Sequence, residues 1–448
     1  MFTKSENHNV NYLATVTTVK NLRAHPNADR MRVATILGCN VITGLNTKEN
    51  DLVVFFPLET CISTEFLSYT NSFEDKTLNR DTTIKGYFSS KNRVRAISLR
   101  GSKCEGYIVP VAHLEAFAFD VLGKNIKIDE SFVNWDFDTI FDHLLVKKYI
   151  PANQRIPNVA GGKTKGNIKK YISKLVENQF RFHPSTEQLK RNIDKLSPND
   201  IISLDYKIHG TSFVASNLLT KKKLNWRDKL AKFIGANVVE TEYGLLYSSR
   251  SVLKNSFIDD GKNHNHFYDE DVWGIVANKV YPLLKQGITV YGEIAGYTKS
   301  GAFIQKPYDY GCNPGELDYW IYRMTYTNPN GDVMEFSHHQ IKEYCQKYGM
   351  KMPHTEYYGY AKDLFPELDT ENRWHENFLE KFSEKYLEQD CFMCKGKLPA
   401  EGWIIRIHNT DEWKVFKNKS FAFLQKESAM LDEGVADMET EESDRNDI

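Results

Sequence analysis

From about residue 10 to 115 the chain consists of five short runs rich in β-branched residues, set apart by turn residues: "YLATVTTVKNL", "MRVATILGCNVITGL", "DLVVFFPLE", "NRVRAISLRG" and "CEGYIVPV". Runs of this length and spacing predict strands. About five strands in about a hundred residues fit a small barrel such as an OB-fold. Arg93, Arg95, Arg100 and Lys103 place positive charge on the last of these strands. That charge suits a nucleic-acid face and equally suits a solvated surface.

With 448 residues the chain has room for further domains, each with its own core. No run approaches the roughly 18 apolar residues a membrane span needs. The N-terminus "MFTKSENHNVNYLATV" lacks the apolar core of a secretory signal. Seven scattered cysteines give no disulfide framework. These features predict an intracellular, cytoplasmic protein in a reducing compartment. The one close pair, in "CFMC" (391–394), has no second pair to complete a zinc site. The tail from residue 431 holds eight acids and one arginine, which leaves the rest mildly basic. Such a tail predicts disorder.

The stretch 151–167, "PANQRIPNVAGGKTKGN", reads as a connector rich in Pro, Gly and Asn. Its "GGKT" is not a phosphate loop, because Pro157 stands where the first glycine belongs. "STEQLKRNIDKL" predicts a helix, with a Ser185–Gln188 capping box, a Leu189, Ile193 and Leu196 face, and a stop at Pro198. Beyond Ile201 strands alternate irregularly with helices such as "SHHQIKEYCQKYG", as in an α+β domain.

The chemistry concentrates in that second half. In "ISLDYKIHGTSFVASN", Ile202, Leu204, Tyr206 and Ile208 alternate with Ser203, Asp205, Lys207 and His209 before Gly210 breaks the pattern. A glycine allows close backbone approach, and Thr211 and Ser212 offer groups for phosphate oxygens. Arg250 follows in "LYSSRSVLKN", Glu293 in "GITVYGEIAG", Tyr322 in "ELDYWIYRMTY", Glu401 in "PAEGWIIRIH", and a lysine cluster in "DEWKVFKNKSFAF". Each alone has an ordinary structural explanation. Together they supply a nucleophile, carboxylates, an aromatic for a base and cations for phosphates, as nucleotidyl transfer requires.

The stretches "KIHGTSF", "SSR", "YGEIAG", "DYWIYRM", "AEGWIIRI" and "KNKSF" stand in an order that resembles the covalent nucleotidyltransferases, ATP-dependent ligases and mRNA capping enzymes among them. The resemblance spans about residues 201–425 and is nearest to RNA ligases of the RNA ligase 2 type, which read K-x-H-G at the first motif. "GAFIQKPYDY", with Gln305, also resembles that branch. The first hundred residues resemble the N-terminal OB domain of the RNA ligase branch named for its Deinococcus member, and "HPNAD" resembles tRNA-binding OB modules.

What the resemblance implies is an α+β chain: an OB-fold β-barrel (1–120), a connector (121–180), an antiparallel-sheet nucleotidyltransferase domain (181–428) and a disordered tail (429–448). Lys207 would be the nucleophile toward ATP. His209 would orient the phosphate or leaving group, Arg250 and Glu293 contact the nucleotide, and Tyr322 stack on adenine. Glu401, with Glu293, would hold Mg2+ or Mn2+. Lys417 would grip the α-phosphate. The usual K-x-K-N ending departs here, since Val415 takes the first lysine's place; its partner is Lys414, through a bulge, or Lys419. Arg406 matches a basic position, yet strict alternation sets it opposite Glu401. The implied protein is a monomeric RNA ligase sealing broken RNA or nicked duplexes. An RNA-binding module with a degenerate transferase domain and an mRNA guanylyltransferase are the alternatives.

Overall fold

The computed structural model describes residues 1–6, 8–151, 172–258, 268–410 and 412–434. The "GGKT" stretch and residues 435–448 of the acidic tail lie outside them.

Leu52–Pro57 is apolar throughout because both its faces are covered. Val53 and Phe55 pack with Val19, Ala34, Ile36 and Val41 on one side. On the other, Val54 and Phe56 join Phe66, Leu114, Phe117 and Phe137. This strand lies between Gly106–Pro110 and Ala14–Thr18, with Asp136–Phe137 beyond, all antiparallel. Lys20–His25, Ala28–Ile36 and Cys39–Gly44 form a second antiparallel sheet. These seven strands are thus present, but among the described residues their ladders do not close into the expected barrel. Residues 121–148, expected to be a connector, add Ile128, Phe137, Ile140, Leu145 and Val146 to the first core. Their strands are only two or three residues long, too short for a periodic signal.

The four basic residues expected on a nucleic-acid face are mostly engaged within the protein. Arg93 is 2% exposed and bridges Glu59 and Asp432, at 2.7 Å each. Arg95 is half-buried, 3.7 Å from Asp432, and Lys103 pairs with Glu388 at 2.6 Å. Arg100 is exposed and donates to the Asn27 carbonyl. Arg93 is therefore a packing residue between the two halves of the chain. Composition could not reveal this, because its partner at position 432 is distant in sequence.

The second half contains two five-stranded sheets. One runs Thr241–Ser248, Thr211–Lys221, Ile288–Gly296, Leu317–Thr327, Val333–Glu335. The other runs Glu187–Gln188, Val415–Lys419, Gly402–Ile407, Ile201–Tyr206, Thr355–Tyr360. All pairs are antiparallel except Glu187–Gln188 with Val415–Lys419. The expected "SHHQIKEYCQKYG" helix forms over His338–Tyr348, with a Ser337–Gln340 capping box and Gly349 left-handed at its end. The expected "STEQLKRNIDKL" helix does not form. Glu187–Gln188 pairs with Phe416–Lys417, Leu189 N–H donates to the Lys417 carbonyl, and only a 3-10 turn follows over Lys190–Lys195. Strand pairing and burial of Leu189 and Leu196 override the local helix preference.

A last helix, Phe421–Asp432, begins at a Ser420 cap and reaches both halves. Phe423 is buried in the core of the second half, while Ser428 and Asp432 meet Arg93 and Glu59 of the first. Lys190–Glu105 at 2.6 Å and Arg191–Asp136 at 3.0 Å add further ion pairs across the junction. No helix among the described residues is long and apolar enough to cross a membrane.

Candidate active site

Ile201–Tyr206 and Thr211–Lys221 are consecutive strands, yet they belong to different sheets. "KIHG" is the crossover between them, which accounts for the break at Gly210. Gly210 N–H donates to Glu293 Oε1 at 3.2 Å, and its carbonyl accepts from Gln305 Nε2 at 3.1 Å. A Cβ at this position would lie 2.1 Å from the Ile294 carbonyl oxygen. Only glycine lets the crossover lie this close to Ile288–Gly296.

Lys207 emerges beside Glu401, which is 2% exposed. Lys207 Nζ is 2.9 Å from Glu401 Oε2, Lys419 Nζ is 3.3 Å from Oε1, and His209 Nδ1 is 3.7 Å from Oε2. Burial pushes the Glu401 carboxyl up, but the Lys207 and Lys419 ammoniums outweigh it and hold it below the usual carboxylate range. His209 is buried edge-on between Tyr308 and Phe423, and its backbone N–H donates to the Tyr310 hydroxyl. The imidazole is thus fixed over the carboxylate by packing.

Lys207, Glu401, Glu293, Gln305, Arg250 and Tyr322 line one cavity of about 620 Å³. Lys417, Lys419, His209 and Arg406 also reach it. On the Val415–Lys419 strand, alternation sends Val415, Lys417 and Lys419 to the cavity. Lys419 is therefore the lysine that accompanies Lys417, and it also pairs with Glu427 at 3.0 Å. Lys414 lies before the strand, does not line the cavity, and pairs with Glu412 at 3.2 Å. The bulge expected to turn it inward does not occur in the Gly402–Ile407 and Val415–Lys419 pairing.

Arg406 and Glu401 share the cavity despite their opposite parity. Gly402, with φ +144°, breaks the alternation between Glu401 and the strand that follows. Arg406 stacks 4.4 Å from the Trp413 ring centre, and Arg323 lies 4.5 Å from the same ring. Tyr322 is aimed similarly. Tyr291 opposes Arg323 and Gly292 opposes Ile321, so Tyr322 is the extra residue of a bulge. Its hydroxyl is 3.2 Å from Ser212 Oγ, and its ring meets His183 edge-on. Arg250 Nη2 donates to Ser185 Oγ at 3.3 Å.

His183, Trp413, Lys148, Lys426 and Glu427 also line the cavity and were not singled out from the sequence. Trp413 lies inside the quoted "DEWKVFKNKSFAF", where its aromatic character was the available signal. Lys148 comes from a three-residue strand of the first half and has no comparable signal. Among the described residues no cluster of three metal-ligating side chains occurs, and Cys391 and Cys394 stand alone with their sulfurs 3.1 Å apart.

No family model matches this chain, and no curated protein does either. Solved structures of a Naegleria gruberi RNA ligase do match, over almost the whole of both chains. A mutant with AMP and Mn is 12% identical over 92% of this chain and 98% of that one, with a TM-score of 0.56. Another with ATP and Mn is 13% identical over 92% and 98%, with a TM-score of 0.55. A third, with PPi, is 13% identical over 94% and 100%, with a TM-score of 0.56. The present chain has the fold of these RNA ligases.

Proposed function

We propose that this chain is an ATP-dependent RNA ligase whose covalent nucleophile is Lys207. The observation that carries this reading is the convergence of Lys207, Arg250, Glu293, Tyr322, Glu401 and Lys417 on one cavity, from two sheets and widely separated segments. A fold shared with an RNA ligase solved with ATP and Mn supports it.

In the proposed reaction Lys207 Nζ attacks the α-phosphorus of ATP. A P–N bond forms, the P–O bond to the β-phosphate breaks, and pyrophosphate leaves. The adenylyl group then passes to a 5′-phosphate on RNA. A 3′-hydroxyl attacks that phosphate, AMP departs, and a phosphodiester remains. Glu401 is a weak base, so it positions the Lys207 amine. Lys417 and Lys419 neutralise phosphate charge, and Tyr322 with the Trp413–Arg406 wall holds the base.

The donor set fits a divalent cation bound partly by substrate. Glu401 and Glu293 give two carboxylates, and magnesium is commonly held by one or two carboxylates plus phosphates and water. When bound, magnesium or manganese supplies charge for the α-phosphate.

The first half suits an RNA-facing OB domain. Ala14–Thr18 leads into Lys20–His25, so one bent run joins both sheets, and Leu52–Pro57 pairs with Ala14–Thr18 and Gly106–Pro110. That order matches a partly open five-stranded barrel. We place this domain at residues 1–148, because its core extends to Val146. RNA carrying a nick or a break is the substrate this reading favours.

The test is incubation with α-labelled ATP and a divalent cation. Wild type should retain label and Lys207→Ala none. Labelling from GTP in place of ATP would identify a guanylyltransferase. Unlabelled wild type, or an equally labelled Lys207→Ala, defeats the proposal. A panel of nicked duplexes with RNA or DNA on each side then defines the substrate.

A further inference from the structure

Between Lys221 and Thr241, where the strands Thr211–Lys221 and Thr241–Ser248 end, the chain inserts a projection built on the helix Trp226–Phe233. An Asn225–Asp228 capping box starts the helix, and none of its residues is buried. Among the described residues its contacts return to the same segment: Lys222 N–H to the Glu240 carbonyl, and Lys232 with Glu240. An isolated helix of two turns is marginal in water. Among the described residues this one gains little from the body of the protein.

The exposed side chains are of the wrong kind for solvent. Trp226 is 69% exposed, Leu230 52%, Phe233 87% and Ile234 72%, with Val239 at 74% on the return arm. At 3.6 residues per turn, Phe233, Trp226, Leu230 and Ile234 fall within an arc of about 100°. Lys229 borders that arc on one side and Arg227 on the other, while Lys221, Lys222 and Lys223 lead into the helix. The acids nearby, Asp228 and Glu240, face Lys222 and Lys232.

We propose that this projection docks on a lipid bilayer carrying anionic headgroups. An apolar stripe edged by lysine and arginine meets both layers of such a surface: the stripe enters the acyl boundary while the long cationic stems reach the phosphates. RNA would satisfy the cations but offer Leu230, Ile234 and Val239 nothing to bury against. A protein groove would cover the stripe but would not call for cations along both edges. The site is separate from the cavity. Thr211 is at the cavity end of its 11-residue strand and Lys221 at the far end, which at about 3.3 Å per residue separates them by roughly 33 Å. The proposal stands whether or not Lys207 accepts label.

The full chain is sedimented with phosphatidylcholine vesicles, with and without phosphatidylserine. Binding should require phosphatidylserine and weaken with salt. Phe233→Glu and Trp226→Ser should each abolish it, with circular dichroism and ATP labelling unchanged. Arg227→Ala with Lys229→Ala should weaken it about thirtyfold. If wild type stays in the supernatant with anionic vesicles, or the variants sediment equally, the proposal fails. It fails too if Phe233→Glu spares vesicle binding and instead lowers RNA affinity or dissociates a dimer.

Discussion

Replacing Arg93 by methionine keeps most of the stem volume and removes the guanidinium that joins the two halves of the chain. In the native protein that group donates to Glu59 at 2.7 Å, to Asp432 at 2.7 Å and to the Ser428 carbonyl at 2.8 Å. The Arg93 side chain is 1% exposed and that of Glu59 is 11% exposed. Burial raises the Glu59 carboxyl, against the lowering effects of Arg93 and the Ser428 hydroxyl. Without Arg93 the carboxylate loses its buried cation, and breaking a buried pair in this way costs about 3–5 kcal/mol. Glu59 can escape by taking a proton. Starting from an ordinary pKa of about 4.3, protonation costs about 3.7 kcal/mol at pH 7 and about 1 kcal/mol at pH 5. That escape caps the charge-burial part of the loss. The sign follows: removing Arg93 raises the folded-state pKa further, so the variant's deficit grows as pH rises and shrinks as it falls. Urea denaturation followed by tryptophan fluorescence should give Arg93→Met a deficit of about 3–4 kcal/mol at pH 7 and well under half of that at pH 5. Adding Glu59→Gln should restore much of the loss at pH 7. A deficit below about 1 kcal/mol at pH 7, or one that does not depend on pH, would refute the electrostatic argument.

Two further substitutions probe the site and its surroundings. Gly210→Ala would force a Cβ to within 2.1 Å of the Ile294 carbonyl oxygen and 2.9 Å of Glu293 Cγ. It should abolish ATP labelling of Lys207 while far-UV circular dichroism stays native, and a labelled variant would contradict the crossover geometry. The His408 imidazole is pushed down to about 3 by burial, with Arg406 and His338 adding to the effect. Its folded pKa lies below an unfolded value of about 6.5, so the unfolded chain gains the proton first and stability falls as pH drops below about 6.5. Allowing for its partial exposure, His408→Gln should remove about 1 kcal/mol of the loss between pH 7 and 5. Parallel wild-type and variant urea curves at both pH values would count against it.

Much of the site was legible because each of its chemical groups sits in a short local pattern. The Lys207 stretch, the Glu293 glycines and the Glu401 stretch could each be placed on a strand or at its end by alternation. The helix His338–Tyr348 announced itself through its cap, its periodicity and its terminal glycine. What stayed hidden depends on long-range pairing. Glu187–Gln188 became a strand because Val415–Lys419 offered it a partner more than two hundred residues away. Arg93 became a buried packing residue because the helix Phe421–Asp432 returned to meet it. Residues 121–148 joined the first core through strands too short to carry a period.

The alternation rule misleads most at two places, and both are in the cavity. Strict parity sets Arg406 opposite Glu401, yet Gly402 at φ +144° brings both to the same space. Strict parity also cannot send Tyr322 to the cavity beside Arg323 packed on the neighbouring Trp413, yet the bulge opposite Tyr291 and Gly292 does. A regular sheet offers one face every second residue, which spaces side chains too widely for neighbouring positions to line a single cavity. Local breaks in the ladder bring groups of both parities to one point, at some cost in regularity. Lys207 follows the same logic on a larger scale: as part of the crossover between two sheets, it meets carboxylates from both, Glu293 through Gly210 and Glu401 directly. The glycines at 210 and 402 thus help shape the cavity, since each permits an approach that a side chain would block.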